Sequence, residues 1–178
     1  MSTFRYLTRL ADIVSDVDVD NDDRNGLYES HDREVEDHLS RIRTVTTKMT
    51  RKVVTGARSN ATTTYAEPAT DTCRVAFTKK YPDTVIVARI HVTCFQSVAG
   101  TAQSVTWGVG DGTTVSDAAF FFFNAINTHH TVSGEVHLTT LAKGPYTFSL
   151  QWKSGTGVTN DLDTNDTLEL SITEMLGN

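Results

Sequence analysis

An acidic run near the N-terminus carries the oxygen-rich side chains that calcium prefers. Across residues 21–32, Asn or Asp stands at loop positions one, three and five, Gly at six, and carboxylates at nine and twelve. This is the spacing of an EF-hand loop. The ligands that it predicts are Asn21, Asp23, Asn25 and Asp32. Because the last ligand is Asp rather than the usual bidentate Glu, an acidic turn that caps a following helix is the alternative. No other cofactor is expected.

Two histidines in the C-terminal half offer a second place for metal chemistry. His129 and His137, with a carboxylate, could form the ligand set of a cupin-like metal enzyme. However, the sequence contains no H-E-x-x-H or C-x-x-C motif and no G-x-S-x-G nucleophile elbow. The glycines at 108, 110 and 112 lack the Gly-Lys-Ser/Thr ending of a phosphate loop. We therefore expect a protein that is not an enzyme, with the metal enzyme as a less favoured alternative.

The whole-chain charge and hydropathy exclude several classes of partner. The 178 residues carry a formal net charge of -6, whereas nucleic-acid binding needs a basic excess. No stretch reaches the ~20 apolar residues of a membrane-spanning helix. The first ten residues lack the apolar core of a signal peptide. We expect no nucleic-acid partner and no membrane insertion. We expect the protein to be synthesised in a cytoplasm.

The N-terminal third of the chain has helical periodicity. Residues 3–14 predict a short amphipathic helix, and residues 28–54 predict a longer one without Pro or Gly. Apolar residues in the longer helix alternate at spacings of four and three, as in a coiled coil. This heptad seam comprises Tyr28, Val35, Leu39, Ile42, Met49 and Val53. We expect residues 1–54 to anchor the protein and to associate with other copies, with packing on the same chain as the alternative.

The remaining sequence predicts a linker followed by a β-domain. Residues 55–72 lack periodic apolar residues and predict an extended linker. Residues 73–178 predict short strands joined by short turns, which favours an antiparallel, jelly-roll-like β-sandwich. The predicted strands are 73–79, 84–96, 104–109, 118–124, 130–141, 146–153 and 167–176. Cys73 and Cys94 are expected to be small buried residues, and a disulfide is possible only if their strands are neighbours.

Four consecutive phenylalanines, residues 120–123, stand out within the predicted sandwich. In a sandwich strand one face is buried and the other is normally wet. A fully apolar run therefore predicts burial on both faces, as a trimer interface would provide.

This layout resembles small bacteriophage or archaeal-virus virion proteins of the fibre, tail-tip or capsid-decorating type. The resemblance lies in the 28–54 seam, the 55–72 linker and the terminal strands 145–153 and 168–176. Those strands are also similar to the last strands of trimer heads of the C1q and tumour necrosis factor type. The resemblance implies a homotrimer, cytoplasmic synthesis and incorporation into a virion. It implies other virion proteins as partners and a host surface receptor as a further candidate.

A carbohydrate-binding module is the main alternative function. β-Sandwiches of this kind stack sugars on aromatic side chains, and Trp107 and Trp152 are available. Trp152 alternates with polar residues on the apolar side of its strand, so a core position is the better prediction for it.

Overall fold

Antiparallel strands dominate the part of the chain that the structure describes. The computed structural model describes residues 31, 33–35, 47–98 and 103–176. The chain divides into two units, Met1–Thr44 and Val45–Asn178. In the first unit, the described residues 31 and 33–35 are helical. No helix in these described ranges is long and apolar enough to cross a bilayer.

The described residues of the second unit form ten strands. Their bounds are β1 Thr47–Val53, β2 Arg58–Asn60, β3 Arg74–Lys79, β4 Thr84–Val98, β5 Ser104–Gly110, β6 Val115–Phe122, β7 His130–Leu138, β8 Gly144–Ser154, β9 Thr159–Leu162 and β10 Thr167–Leu176. Every strand pair is antiparallel.

The strands form two sheets that face each other across the core. The larger sheet has the order β1-β10-β4-β9-β2, and β7 also pairs with β4. The smaller sheet has the order β3-β8-β5-β6. From β3 onward the chain crosses repeatedly between the sheets, with β4, β7 and β10 in one and β3, β5, β6 and β8 in the other. This crossing makes the fold a jelly-roll-like β-sandwich.

The alternation of side chains along the strands builds the core. On β4 the residues Ile86, Ala88, Ile90, Val92 and Cys94 are all buried. They face Phe148, Leu150 and Trp152 of β8 in the other sheet. The apolar side chains of the neighbouring strand β10 lie beside them in the same core cluster. The buried side chains recur at every second residue along these strands, so a shift of one residue in strand pairing would turn them toward water. The burial of these side chains therefore fixes the register of the central strands.

The predictions for the central strands are confirmed. Strands β3, β4, β5, β7, β8 and β10 lie where the sequence predicted strands, within a few residues at each end. Leu168, Leu170 and Ile172 share the buried face of β10, as expected. Cys73 and Cys94 are buried and free, so the reading as small core residues is confirmed and no disulfide joins them.

The predicted helix 28–54 is wrong over its last turns, because Thr47–Val53 is strand β1. This strand pairs with β10 from Thr47↔Thr173 to Val53↔Thr167. Without it, one side of β10 would have unpaired backbone groups. Branched side chains such as Thr47, Thr50 and Val53 suit a strand better than a helix. A hydrogen bond also links the two sheets here. Thr50 Oγ1 on β1 donates to the backbone oxygen of Arg74 on β3 at 2.9 Å.

Residues 55–72 are part of the sandwich rather than an open linker, so the domain begins before residue 73. Strand β2 pairs with β9, and Ala66 forms an isolated bridge with Trp152. Asp71 is buried and accepts a hydrogen bond from Thr55 Oγ1 at 2.9 Å. The Arg58 guanidinium lies 2.9 Å from the Asp71 carboxylate. These polar contacts hold a segment that has no apolar periodicity, which is why the sequence pattern did not reveal it.

Candidate interaction surface

Strand β6 presents two phenylalanines to the outside of the sandwich. Phe120 is 67% exposed and Phe122 is 57% exposed. We refer to them as the phenylalanine pair. They alternate with Phe121 and Phe123, which pack on the core, and Phe123 is fully buried. The expectation that this run is buried on both faces is therefore not met within one chain, and burial of the second face by another subunit stays a prediction.

The inward phenylalanines hold β6 firmly in position. The rings of Phe121 and Phe123 meet edge-on with centroids 5.1 Å apart. The His130 ring lies 5.1 Å from Phe121 and 5.6 Å from Phe123. Close packing also joins β6 to β7, because a Cβ atom at Gly134 would lie 2.1 Å from the carbonyl oxygen of Ala118. The phenylalanine pair is thus carried on an anchored strand.

The register with β5 places small residues beside the phenylalanine pair. Phe120 is opposite Thr106, and Phe122 is opposite Ser104. Strand β6 lies at one end of its four-stranded sheet. Edge strands of soluble proteins commonly carry charges that prevent association. At these two positions β6 carries large apolar rings instead.

A polar cluster covers the same outer face further along β6. Tyr65 donates a hydrogen bond from its hydroxyl group to Asp117. The Lys153 ammonium group lies 4.3 Å from the centre of the Tyr65 ring and 3.6 Å from the Asp117 carboxylate. Burial and the neighbouring Asp117 carboxylate raise the pKa of Tyr65 far above its usual value. The outer face therefore has a polar end, where residue 65 covers the sheet, and an apolar end at the phenylalanine pair.

Two further exposed apolar residues lie near the apolar end. Ile126, in the connection between β6 and β7, is 46% exposed, and Val98, at the end of β4, is 50% exposed. The Asn127 amide donates to Gln96 O at 2.7 Å, which brings this connection against the end of β4. Four of the exposed apolar side chains of the sandwich thus belong to β6, to the connection after it and to the end of β4.

The predicted heptad seam is only partly described. Met49 and Val53 are both 59% exposed, but they lie on strand β1 and cannot belong to a helical seam. Val35 lies in the helical stretch and is 51% exposed. Tyr28, Leu39 and Ile42 lie outside the described residues, as do the predicted calcium ligands Asn21, Asp23, Asn25 and Asp32. Self-association of this segment and calcium binding both stay predictions.

The two histidines of the predicted cupin-like ligand set do not meet. They stand at opposite ends of β7, so an extended backbone separates them by roughly 25 Å. His137 Nε2 lies 2.6 Å from the Glu135 carboxylate, which also accepts a hydrogen bond from Arg89 Nε. These contacts hold the pKa of Glu135 below its usual range. The proposed set is therefore wrong as a shared metal site.

His129 is placed instead between two aspartates. Its Nδ1 lies 2.8 Å from Asp166 Oδ1, and its Nε2 lies 3.5 Å from Asp163 Oδ2. Burial raises the pKa of Asp166 above its usual value, and the hydrogen bond with His129 opposes that rise. The sequence did not reveal this cluster, because His129 and Asp166 are 37 residues apart and the two connections that supply its members share no motif.

Neither tryptophan is available as a platform for sugars. Trp107 and Trp152 are 0% and 2% exposed, and their rings stack with centroids 5.2 Å apart. The prediction of a core position for Trp152 is confirmed. The carbohydrate-binding alternative loses the aromatic residues on which it rested.

The strand order and the two facing sheets define the class of this protein as a mainly β, antiparallel, jelly-roll-like sandwich. No protein-family model matches its sequence, and no curated protein matches it.

Solved structures with similar folds come from several kinds of protein. Eiger TNF from S. frugiperda is 7% identical, over 75% of this chain and 94% of that chain, with a TM-score of 0.44. A structure of infectious bursal disease virus, Gt strain, is 10% identical over 74% of this chain and 38% of the viral chain, with a TM-score of 0.36. The CBM35 from Cellvibrio japonicus Abf62 is 16% identical over 75% of this chain and 99% of that domain, with a TM-score of 0.32. These likenesses concern the fold alone.

Proposed function

We propose that this chain is a non-enzymatic structural component of a viral particle. In this proposal it associates with copies of itself, as a homotrimer, and presents its β-sandwich for particle assembly or host attachment. The observation that carries the self-association is the phenylalanine pair, whose rings are 67% and 57% exposed on an edge strand.

The phenylalanine pair leaves apolar area in contact with water, and covering that area would favour association. Complete burial of a phenylalanine side chain is worth about 1.5–3 kcal/mol. The strand backbone beneath the pair is already ordered by Phe121 and Phe123, so association requires little additional ordering of β6. Aromatic residues are also enriched at the buried centres of protein interfaces. A partner surface that covers both rings would therefore be stabilised.

Two alternatives that the sequence offered, a carbohydrate-binding module and a metal site shared by His129 and His137, are not favoured by the described residues. The tryptophans are buried, and the histidines that were candidates for a shared metal set lie at opposite ends of β7. The N-terminal residues Tyr28, Val35, Leu39 and Ile42 remain a proposed second contribution to association, through the part of the heptad seam that precedes β1.

Two matched pairs of substitutions in the full chain test this proposal. Phe120→Ser with Phe122→Ser removes the apolar rings from β6. Met49→Ser with Val53→Ser is the control, because these residues are similarly exposed, at 59% each, but lie on an edge strand of the other sheet. We expect the first variant to elute as a smaller species in size-exclusion chromatography with light scattering, and the control to keep the wild-type mass.

Both variants should retain the wild-type far-ultraviolet circular dichroism, because all four side chains are on the surface. If the β6 variant keeps the wild-type mass while the β1 variant dissociates, association occurs through the opposite sheet and the proposal for the phenylalanine pair is wrong. Equal masses for all three proteins would exclude both surfaces.

A further inference from the structure

His129, Asp163 and Asp166 converge from two separate connections of the fold. His129 lies just before β7, and the two aspartates lie in the turn between β9 and β10. One imidazole nitrogen and one oxygen from each carboxylate lie within 4.8 Å of one another. Ligands bound at about 2.1 Å in tetrahedral geometry are about 3.4 Å apart, so the ligand atoms would move closer by up to about 1.4 Å to share an ion.

The environment of the cluster orients its members. The Phe95 ring packs on the His129 ring with centroids 4.7 Å apart. Asp166 is 0% exposed, and its second oxygen accepts a hydrogen bond from the Asp163 amide at 2.8 Å. The side chains of His129 and Asp163 are each 33% exposed. The cluster thus has a buried, fixed side and a side that is open to solvent.

The charge of the cluster is the second observation that points to a cation. A buried carboxylate is costly unless it is paired or bound to a metal. Among the described residues, no Lys or Arg forms an ion pair with Asp163 or Asp166, and His129 is their only basic partner. Two carboxylates therefore share a single imidazole, and a divalent cation would balance their charge.

We propose that His129, Asp163 and Asp166 bind a divalent transition-metal ion such as Zn²⁺. The imidazole nitrogen favours such an ion over Ca²⁺ or Mg²⁺, which prefer oxygen ligands alone. The ion takes the place of a proton between the ring and a carboxylate, and solvent completes the coordination on the open side. It joins the β6–β7 connection to the β9–β10 turn and thereby stabilises this end of the sandwich. The proposal does not depend on self-association.

The test uses the full chain, stripped of metal with a chelator and titrated with ZnCl₂ by calorimetry at neutral pH. We expect one equivalent per chain and a higher Tm in differential scanning calorimetry when Zn²⁺ is present. His129→Gln and Asp163→Asn should each weaken binding by at least about 10-fold. Asp163 is partly exposed, so its variant should fold, and circular dichroism checks this.

His137→Gln is the matched control, because His137 also lies beside a carboxylate but on the exposed face of β7. It should bind Zn²⁺ like the unmodified chain. Loss of binding in this variant alone would place the ion elsewhere and overturn the proposal. So would an absence of stoichiometric binding, equal affinity in all three variants, or stronger binding of CaCl₂ than of ZnCl₂.

Discussion

Phe122 and Phe123 are neighbours on the chain with opposite environments. Phe123 is fully buried, whereas Phe122 is 57% exposed. Phe123→Ala should lower the free energy of unfolding by about 3–5 kcal/mol, because it leaves a cavity in the core. In the dissociated chain, at protein concentrations too low for association, Phe122→Ala should change it by less than about 1 kcal/mol, since little contact within the chain is lost. Urea unfolding followed by tryptophan fluorescence measures both, and similar losses for the two variants would contradict the assigned faces.

The two thiols give a prediction about pH. Burial raises the pKa of Cys73 to about 11 and that of Cys94 to about 12, from an ordinary value of 9.0. Since the thiolate is the reactive form, both cysteines should resist a disulfide reagent at pH 8 until the protein is unfolded. Rapid labelling of the folded protein would show that the thiols are accessible and would contradict this prediction.

The same thiols should make the fold less stable at high pH. Each folded-state pKa lies above the unfolded-state value, so the thiols favour the folded state below about pH 9. That contribution is lost as the pH rises through 11. Replacement of Cys73 by Ala should make the decline in unfolding free energy between these values less steep.

At the scale of elements, strand β1 decides where the domain begins. A chain that starts at residue 45 keeps β1 and Val54, which is 1% exposed. A chain that starts at residue 58 loses both. We expect the longer version to unfold cooperatively, and the shorter one to be less stable by at least about 2 kcal/mol, from the loss of one buried valine and a paired strand. Equal stability in urea unfolding would contradict the role of β1.

Several of the strands that the sequence predicted have a clear period of two. On β8, Phe148, Leu150 and Trp152 alternate with polar residues, and on β10 three apolar residues do the same. Strand β9 was missed because Thr159–Leu162 is short and mainly polar. Strand β1 was missed because its Met and Val spacing also fits a helix, and only pairing with β10 distinguishes the two.

The candidate sites could not be located from local sequence patterns, because they depend on how distant parts of the chain pack together. Four consecutive phenylalanines indicated an unusual strand, but only its packing on the core shows which two rings are exposed. The cluster of His129 with Asp163 and Asp166 arises because two turns meet at one end of the sandwich. Their separation along the chain left no motif to recognise.

At the scale of the whole molecule, the described residues of the second unit form a well-packed sandwich with an exposed aromatic pair. The core cluster contains residues from both sheets, so the sandwich has its own interior and does not need a partner to form one. The phenylalanine pair lies outside that core and is therefore available for association between complete domains.

The mass of the unmodified chain in solution tests the central claim most directly. Light scattering across a range of micromolar concentrations should give a species of three times the 19.6 kDa chain mass. Addition of a nonionic detergent, which competes for exposed apolar rings, should shift the distribution toward smaller species. A mass of 19.6 kDa at every concentration would contradict the claim that this protein works as a self-associating structural component.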